Sequence, residues 1–217
     1  MILSRFWYFL LTGAAVIGVA AALLAASLIN DQYRLAVVND LARDRFEIEA
    51  MLKLDARTRL DAIGPIAANP DVRSALRRAS ARRDRNQIEE ELATALRTKL
   101  GQLNTQLAGM HGDLLFAVDD RGWIVAGIAP GAIPEGSGLG QFPVVRRALE
   151  GYLRDDVWVY NDGVYRMAAR PVIDGGQYVG ALIHGKRFDD GLAELLSSRL
   201  DGASVAFFRG DTMIAGY

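Results

Sequence analysis

Few side chains in this sequence could do covalent chemistry. It contains no cysteine and two histidines, His111 and His184. That composition leaves no thiol nucleophile, thiolate metal site or disulfide, and no Ser-His-Asp relay or zinc-ligand spacing can be assembled around the two imidazoles. Two acidic pairs remain, Asp119-Asp120 and Asp189-Asp190. The first falls in the string Asp119-Asp120-Arg121-Gly122, where aspartate serves a tight turn, and the second suits a cap. The stretch Gly136-Ser137-Gly138-Leu139-Gly140 lacks the spacing and the nucleotide helix of a phosphate loop. These residues predict no catalytic group, no cofactor and no metal.

Charge narrows the partners. The chain carries 25 basic and 26 acidic side chains, a formal net charge of -1, which gives no electrostatic reason to expect nucleic acid. One segment stands apart: Phe6 to Ile29 is a run of 24 residues without a charge. As a helix it would reach about 36 Å, enough to cross a hydrocarbon core of about 30 Å. Arg5 and the terminal amine precede it, keeping residues 1–5 in the cytoplasm, while Trp7 and Tyr8 suit the headgroup region. The run exceeds the apolar core of a cleaved signal, and Ala25-Ala26-Ser27 is a poor cleavage site. The sequence therefore predicts an inner-membrane protein with a single N-terminal span, the bulk of the chain lying periplasmic.

Beyond the span the periodicity is helical. Val37, Leu41, Ile48, Leu52 and Leu60 fall near one stripe of a stalk that Gly64-Pro65 interrupts. Asn69-Pro70-Asp71 reads as a helix start with Asn69 as cap. The basic run Arg77 to Arg85 is followed by Glu89, Glu90 and Glu91 and reads as a solvated face. Ile88, Leu92, Leu96, Leu100, Leu103, Leu107 and Met110 give a third helix one continuous apolar stripe ending at His111-Gly112. The period then changes. A hairpin over Leu114 to Gly127 is followed by a Gly- and Pro-rich loop and a short helix from Pro143 to Gly151. Three strands come next, Asp156 to Asn161, Val164 to Ile173 and Tyr178 to Gly185, joined by Asn161-Asp162-Gly163 and Asp174-Gly175-Gly176. A helix over Phe188 to Leu200 and a last hairpin over Val205 to Ala215 complete the chain.

This order resembles the Cache family, extracellular relatives of PAS domains in bacterial receptors. The residues carrying the likeness are Asn69-Pro70-Asp71-Val72, Phe116-Ala117-Val118-Asp119, Val145 to Gly151, Ala169-Arg170-Pro171-Val172 and Gly180-Ala181-Leu182-Ile183. The resemblance implies an α+β fold: an N-terminal transmembrane helix continuing into a long helical stalk, then a PAS-like antiparallel sheet with flanking helices. The corresponding domains are a tail 1–5, a span 6–29, a stalk with the first Cache helices 30–112, a sensor module 113–200 and a hairpin 201–217. That hairpin resembles the first. Without gaps, Phe116 to Gly127 aligns with Val205 to Gly216, pairing Ala117 with Ala206, Ala126 with Ala215 and Gly127 with Gly216, as if a second Cache module opened there.

In Cache receptors the ligand sits between the central sheet and the loop and short helix after the first hairpin. Carried over, that pocket is faced by Trp158, Tyr160, Tyr165, Met167 and His184, with Arg146 or Arg147 and Arg170 available to an anionic ligand, since a guanidinium forks onto a carboxylate. The ordinary alternatives stand beside these roles. Trp158 and Tyr160 alternate with Val157 and Val159, and one of those sets must fill the sheet core; the arginines also suit solvent, and His184 also suits a satisfied strand position. The amino-acid-binding branch places an aspartate where this chain has Gly185, so a small carboxylate or an apolar metabolite fits better. The reading is a signal-transducing sensor region, membrane-bound and homodimeric. A membrane-anchored dimerisation or scaffold protein with a ligand-free PAS-like domain is the alternative.

Overall fold

A computed structural model of the chain describes residues 32–34, 36–82, 89–107, 109–131, 136–200 and 203–217. The expected membrane segment Phe6 to Ile29 and the tail before it lie outside them, as does the basic run from Arg83 to Arg85. Among the described residues no helix is long and apolar enough to cross a membrane. The chain divides into two compact units, Met1–Glu49 and Ala50–Tyr217.

In the first unit residues 32–34 and 36–49 are helical. The i,i+4 pair Arg45 to Glu49, at 2.9 Å, supports the helix on an exposed face. Of the apolar stripe read from the sequence, Val37 and Leu41 are exposed and Ile48 is half-buried, and Tyr33, Val38 and Phe46 beside them are exposed as well.

The second unit opens with helical residues 50–62, here α1, whose buried positions Ala56, Arg59, Leu60 and Ile63 recur at helical spacing. Gly64–Ala68 (α2) follows, with Pro65 in its first turn, and then Pro70–Ser80 (α3). Asn69 caps α3 as expected, its Oδ1 accepting from the amides of Asp71 and Val72. Glu90–Thr105 (α4) ends sooner than its stripe suggested. The buried Asn104 side chain donates to Gly112 O and accepts from Gly112 N, at 2.9 and 2.8 Å, and this two-way bond folds the chain back before Met110.

Strands Leu114–Asp119 (β1) and Ile124–Ile128 (β2), helix Pro143–Leu149 (α5), and strands Arg154–Tyr160 (β3), Gly163–Asp174 (β4) and Gln177–Arg187 (β5) come next. The five strands form one antiparallel sheet in the order β2-β1-β5-β4-β3. Both sharp turns in it follow from residue type: Asn161 and Asp162 hold φ of 42° and 62°, a left-handed pair that short polar side chains tolerate, and Gly175-Gly176 does the same between β4 and β5. Asp119 is a turn residue, accepting from Arg121 N and Trp123 N at 3.0 and 2.8 Å. Asp189 caps Asp190–Ser197 (α6) by accepting from Leu192 N.

The sheet separates two apolar layers. On one face Leu115, Ala117, Val172 and Leu182 meet α3 and α4. On the other, Phe116, Tyr165, Met167 and Ile183 meet α5 through Val144, Val145 and Ala148. The alternation along each strand produces this division, because neighbouring residues point to opposite faces.

Ala206–Arg209 (β6) and Thr212–Gly216 (β7) form a separate two-stranded sheet. It is fastened to α6 by Val205 N to Ser197 Oγ and by an edge-to-face contact of Phe188 with Phe207 at 4.9 Å. Its ladder repeats the first hairpin. The pairs Phe116 with Gly127, Ala117 with Ala126 and Val118 with Ile124 correspond to Ala206 with Gly216, Phe207 with Ala215 and Phe208 with Met213, with a bulge in the same place. The ungapped alignment therefore holds for β2 and β7 but slips by one residue between β1 and β6, where the later turn is shorter.

Candidate functional site

The seven residues singled out from the sequence do not converge. Tyr165 and Met167 are buried on the α5 face of the sheet, and Trp158 and Tyr160 pack beside them from the edge strand β3. Register explains the grouping, since Trp158 pairs directly with Tyr165 across β3 and β4. These four are joined by two aromatics that strand alternation alone did not select. Phe142 lies tilted against Trp158 with ring centres 4.5 Å apart, and Phe116 meets Tyr160 edge-on at 6.0 Å, a geometry that aromatic quadrupoles favour. Trp158, Tyr160 and Phe142 are only half-buried, so this apolar layer opens towards solvent along β3.

Its cover is fixed by the backbone. Residues 136–139 run along β2, with Ile124 N donating to Ser137 O at 2.9 Å, Gly136 N to Ile124 O at 2.9 Å and Leu139 N to Gly122 O at 2.7 Å. Gly122, at φ +81°, permits this approach: a Cβ there would sit 2.6 Å from the Cα of Gly140. Phe142 and α5 are thereby held over the sheet. Arg146 lies on the exposed side of α5, and Arg147 is paired outward with Glu150 at 2.8 Å.

Arg170 and His184 face the opposite way, towards the helices. Arg170 Nη1 donates to Leu60 O at 2.8 Å. His184 is fully buried, with Nε2 2.9 Å from Met110 O. That contact requires Nε2 to carry the proton, because a carbonyl only accepts. Burial pushes the His184 pKa down to about 4, and the neighbouring Arg59 and Lys186 act in the same direction, against Met110 O and Asp113. The imidazole is therefore neutral at ordinary pH.

Beside it lies a charged cluster absent from the sequence reading. Asp55 Oδ2 accepts from Arg59 Nε at 2.8 Å and from Arg166 Nη1 at 2.6 Å, while Arg59 Nη1 donates to the backbone oxygen of Arg166 at 2.7 Å. Arg59 is 2% exposed and Arg166 5%. Burial lowers the Arg59 pKa, with Asp55 opposing the shift. Arg166 Nε is buried without a hydrogen-bond partner among the described residues. The spacing of Asp55 and Arg59 by one helical turn, with Arg59 four residues before the buried Ile63, is the signal that could have exposed it. A mainly apolar groove of about 340 Å³ adjoins the cluster, lined by Asp55 itself together with Met51, Leu52, Met110, Leu196 and Arg199.

No protein-family model matches the chain. No curated protein matches it either. Among solved structures, it is similar to the sensor domain of the V. cholerae histidine kinase DctB at 15% identity and TM-score 0.54, over 82% of this chain and 64% of that one. It thus spans just under two thirds of the DctB domain. The E. coli DcuS sensor domain (14% identity, TM-score 0.49, 69% of this chain and 98% of that one) and the periplasmic domain of V. cholerae LuxQ (15%, 0.46, 79% and 77%) are also similar. The resemblance read from the sequence holds as one of fold, and the chain has the PAS-like, Cache-type fold of bacterial sensor domains.

Proposed function

We propose that this chain is the extracytoplasmic sensory region of a bacterial membrane receptor and binds a small molecule between the sheet and α5. The observation that carries the reading is the aromatic set Phe142, Trp158 and Tyr160, half-buried over the closed floor of Phe116, Tyr165 and Met167. Aromatic rims over an apolar floor suit ligand contact, because they offer area at small entropic cost. The floor presents no charged side chain, so an apolar metabolite, or a small carboxylate whose acid end stays near the rim, fits best. The ladder shared by the two hairpins supports reading 201–217 as the opening of a second module.

The exposed apolar residues Tyr33, Val38, Leu41 and Phe46 favour self-association of the N-terminal helix. That supports the second reading, an anchored dimerisation module whose sheet core is simply filled. A thermal-shift screen of the purified chain against small carboxylates and apolar metabolites separates the two. A ligand at about 100 times its Kd contributes about 2.7 kcal/mol, which for a domain of this size raises Tm by roughly 5 to 10 °C. The sensor reading predicts at least one such compound, and predicts that Trp158→Ala weakens its binding by about tenfold or more. A screen in which nothing stabilises the fold supports the filled core.

A further inference from the structure

Strand β4 has two faces with different duties. Tyr165, Met167 and Ala169 point into the aromatic layer, whereas the alternate residues Arg166 and Arg170 reach α1. The strand is inflexible within its own sheet, being paired on one side with β3 and on the other with β5. Anything that moves its Tyr165-Met167 face must also move its arginines.

We propose that Asp55, Arg59 and Arg166, assisted by Arg170, are the coupling element that converts displacement of β4 at the candidate site into movement of α1. The proposal rests on the sensory reading above for its biological meaning, but its physical content does not require a known ligand.

Three features make this contact responsive where an apolar contact would yield. First, the bonds are charge-assisted and short, 2.6 to 2.8 Å, and such bonds fail over a few tenths of an ångström while dispersion contacts fade gradually. Second, one carboxylate serves two buried guanidiniums through the same oxygen, Oδ2. Two guanidiniums share that oxygen, with Asp155 acting on Arg59 only through space, so a shift of β4 redistributes Asp55 between Arg59 and Arg166 instead of merely loosening a satisfied pair. Third, the contact runs in both directions: α1 reaches the β4 backbone through Arg59, and β4 reaches the α1 backbone through Arg170 to Leu60 O at 2.8 Å. Helix and strand are stitched at neighbouring turns, so α1 follows β4 as a body.

The test displaces β4 from within. Met167→Phe adds volume on the aromatic side, standing in for an occupant of the site. Ala169→Val does so one step along the same face, should the first variant fail to fold. Hydrogen exchange of the α1 amides, residues 50–62, is measured in the full chain in detergent micelles, with and without Arg166→Met. Arg166→Met leaves the pair of Asp55 and Arg59 intact. We expect the β4 substitution to change α1 exchange by about tenfold in the parent background and by about threefold in the Arg166→Met background, where the bonds of Arg59 to the residue 166 backbone oxygen and of Arg170 to Leu60 O remain, while the change within β4 itself persists in both. An α1 response that is absent in the parent background, or equal in the two backgrounds, overturns the coupling role. Because no ligand is used, that failure is distinct from a thermal-shift screen without hits, which counts against the sensory reading alone.

Discussion

Asp55→Ala is expected to destabilise the fold by about 3 kcal/mol, near the low end of what breaking a buried ion pair costs. The reason is what it leaves behind. Arg59 and Arg166 are almost fully buried, and without Asp55 two guanidiniums face each other in a low dielectric with no carboxylate bonded to either. The Asp55 side chain itself is 26% exposed, and this access of water keeps the loss from reaching the upper end, about 5 kcal/mol. Arg166→Met behaves differently. It removes one of the two guanidiniums bonded to Asp55, its unpartnered Nε and its position over the Phe188 ring, 5.7 Å from the ring centre, and keeps the bond between Arg59 and Asp55. Its cost is expected to be about 1 to 2 kcal/mol, below that of Asp55→Ala, because one charge-assisted bond and one ring contact are lost but no buried charge is left without its partner. Urea unfolding of the two variants beside the parent chain checks the ordering. Equal losses would mean that the Arg166 guanidinium is needed in its own right.

Acid should unfold this protein through His184. Its folded pKa lies near 4, below the 6.5 of an unperturbed imidazole, so the unfolded chain takes up the proton more readily than the native one. Stability from this residue is therefore fully present above pH 6.5 and is lost as pH falls from about 6.5 towards 4, by roughly 3 kcal/mol in all. The structural cause is specific. Protonation at the buried Nδ1 would place a cation without a hydrogen-bond acceptor beside Arg59 and Lys186, opposed by the charge of Asp113. His184→Gln, which keeps a donor for Met110 O, is expected to flatten the stability profile over this window. A profile as steep in the variant as in the parent would assign the acid sensitivity to other groups.

The fold was legible because its local signals agree. Asn69-Pro70 marks a cap and a first turn, Asn161-Asp162 and Gly175-Gly176 mark left-handed turns, and the alternation in β3 follows from its half-buried edge position. The site was legible only in part. Strand periodicity put Trp158, Tyr160, Tyr165 and Met167 on one face, but period alone does not say which face Arg170 and His184 share, because the odd and even positions of β4 and β5 are both buried. Nor does a helical stripe distinguish an arginine at its edge from one at its centre. Arg59 sits between Ala56 and Ile63 on the buried side of α1, and its partner Arg166 is more than a hundred residues away in sequence. Such a contact depends on tertiary pairing and has no local signature. The early end of α4 is a similar case, set by the bond of Asn104 to a glycine in the following loop.

A small molecule bound between the sheet and α5 would touch a distinct set of methyl groups. The direct measurement is methyl NMR of the chain with the carboxylate or apolar metabolite that most raises its Tm. Shifts confined at first to Met167, Ile183 and Val145, the methyls beneath the aromatic rim, are the predicted result, with the α1 residues Met51 and Leu52 responding only through Asp55 and Arg166. Primary shifts at Met51, Met110 and Leu196 with none at Met167 would put the ligand in the groove beside α1 and contradict the assignment.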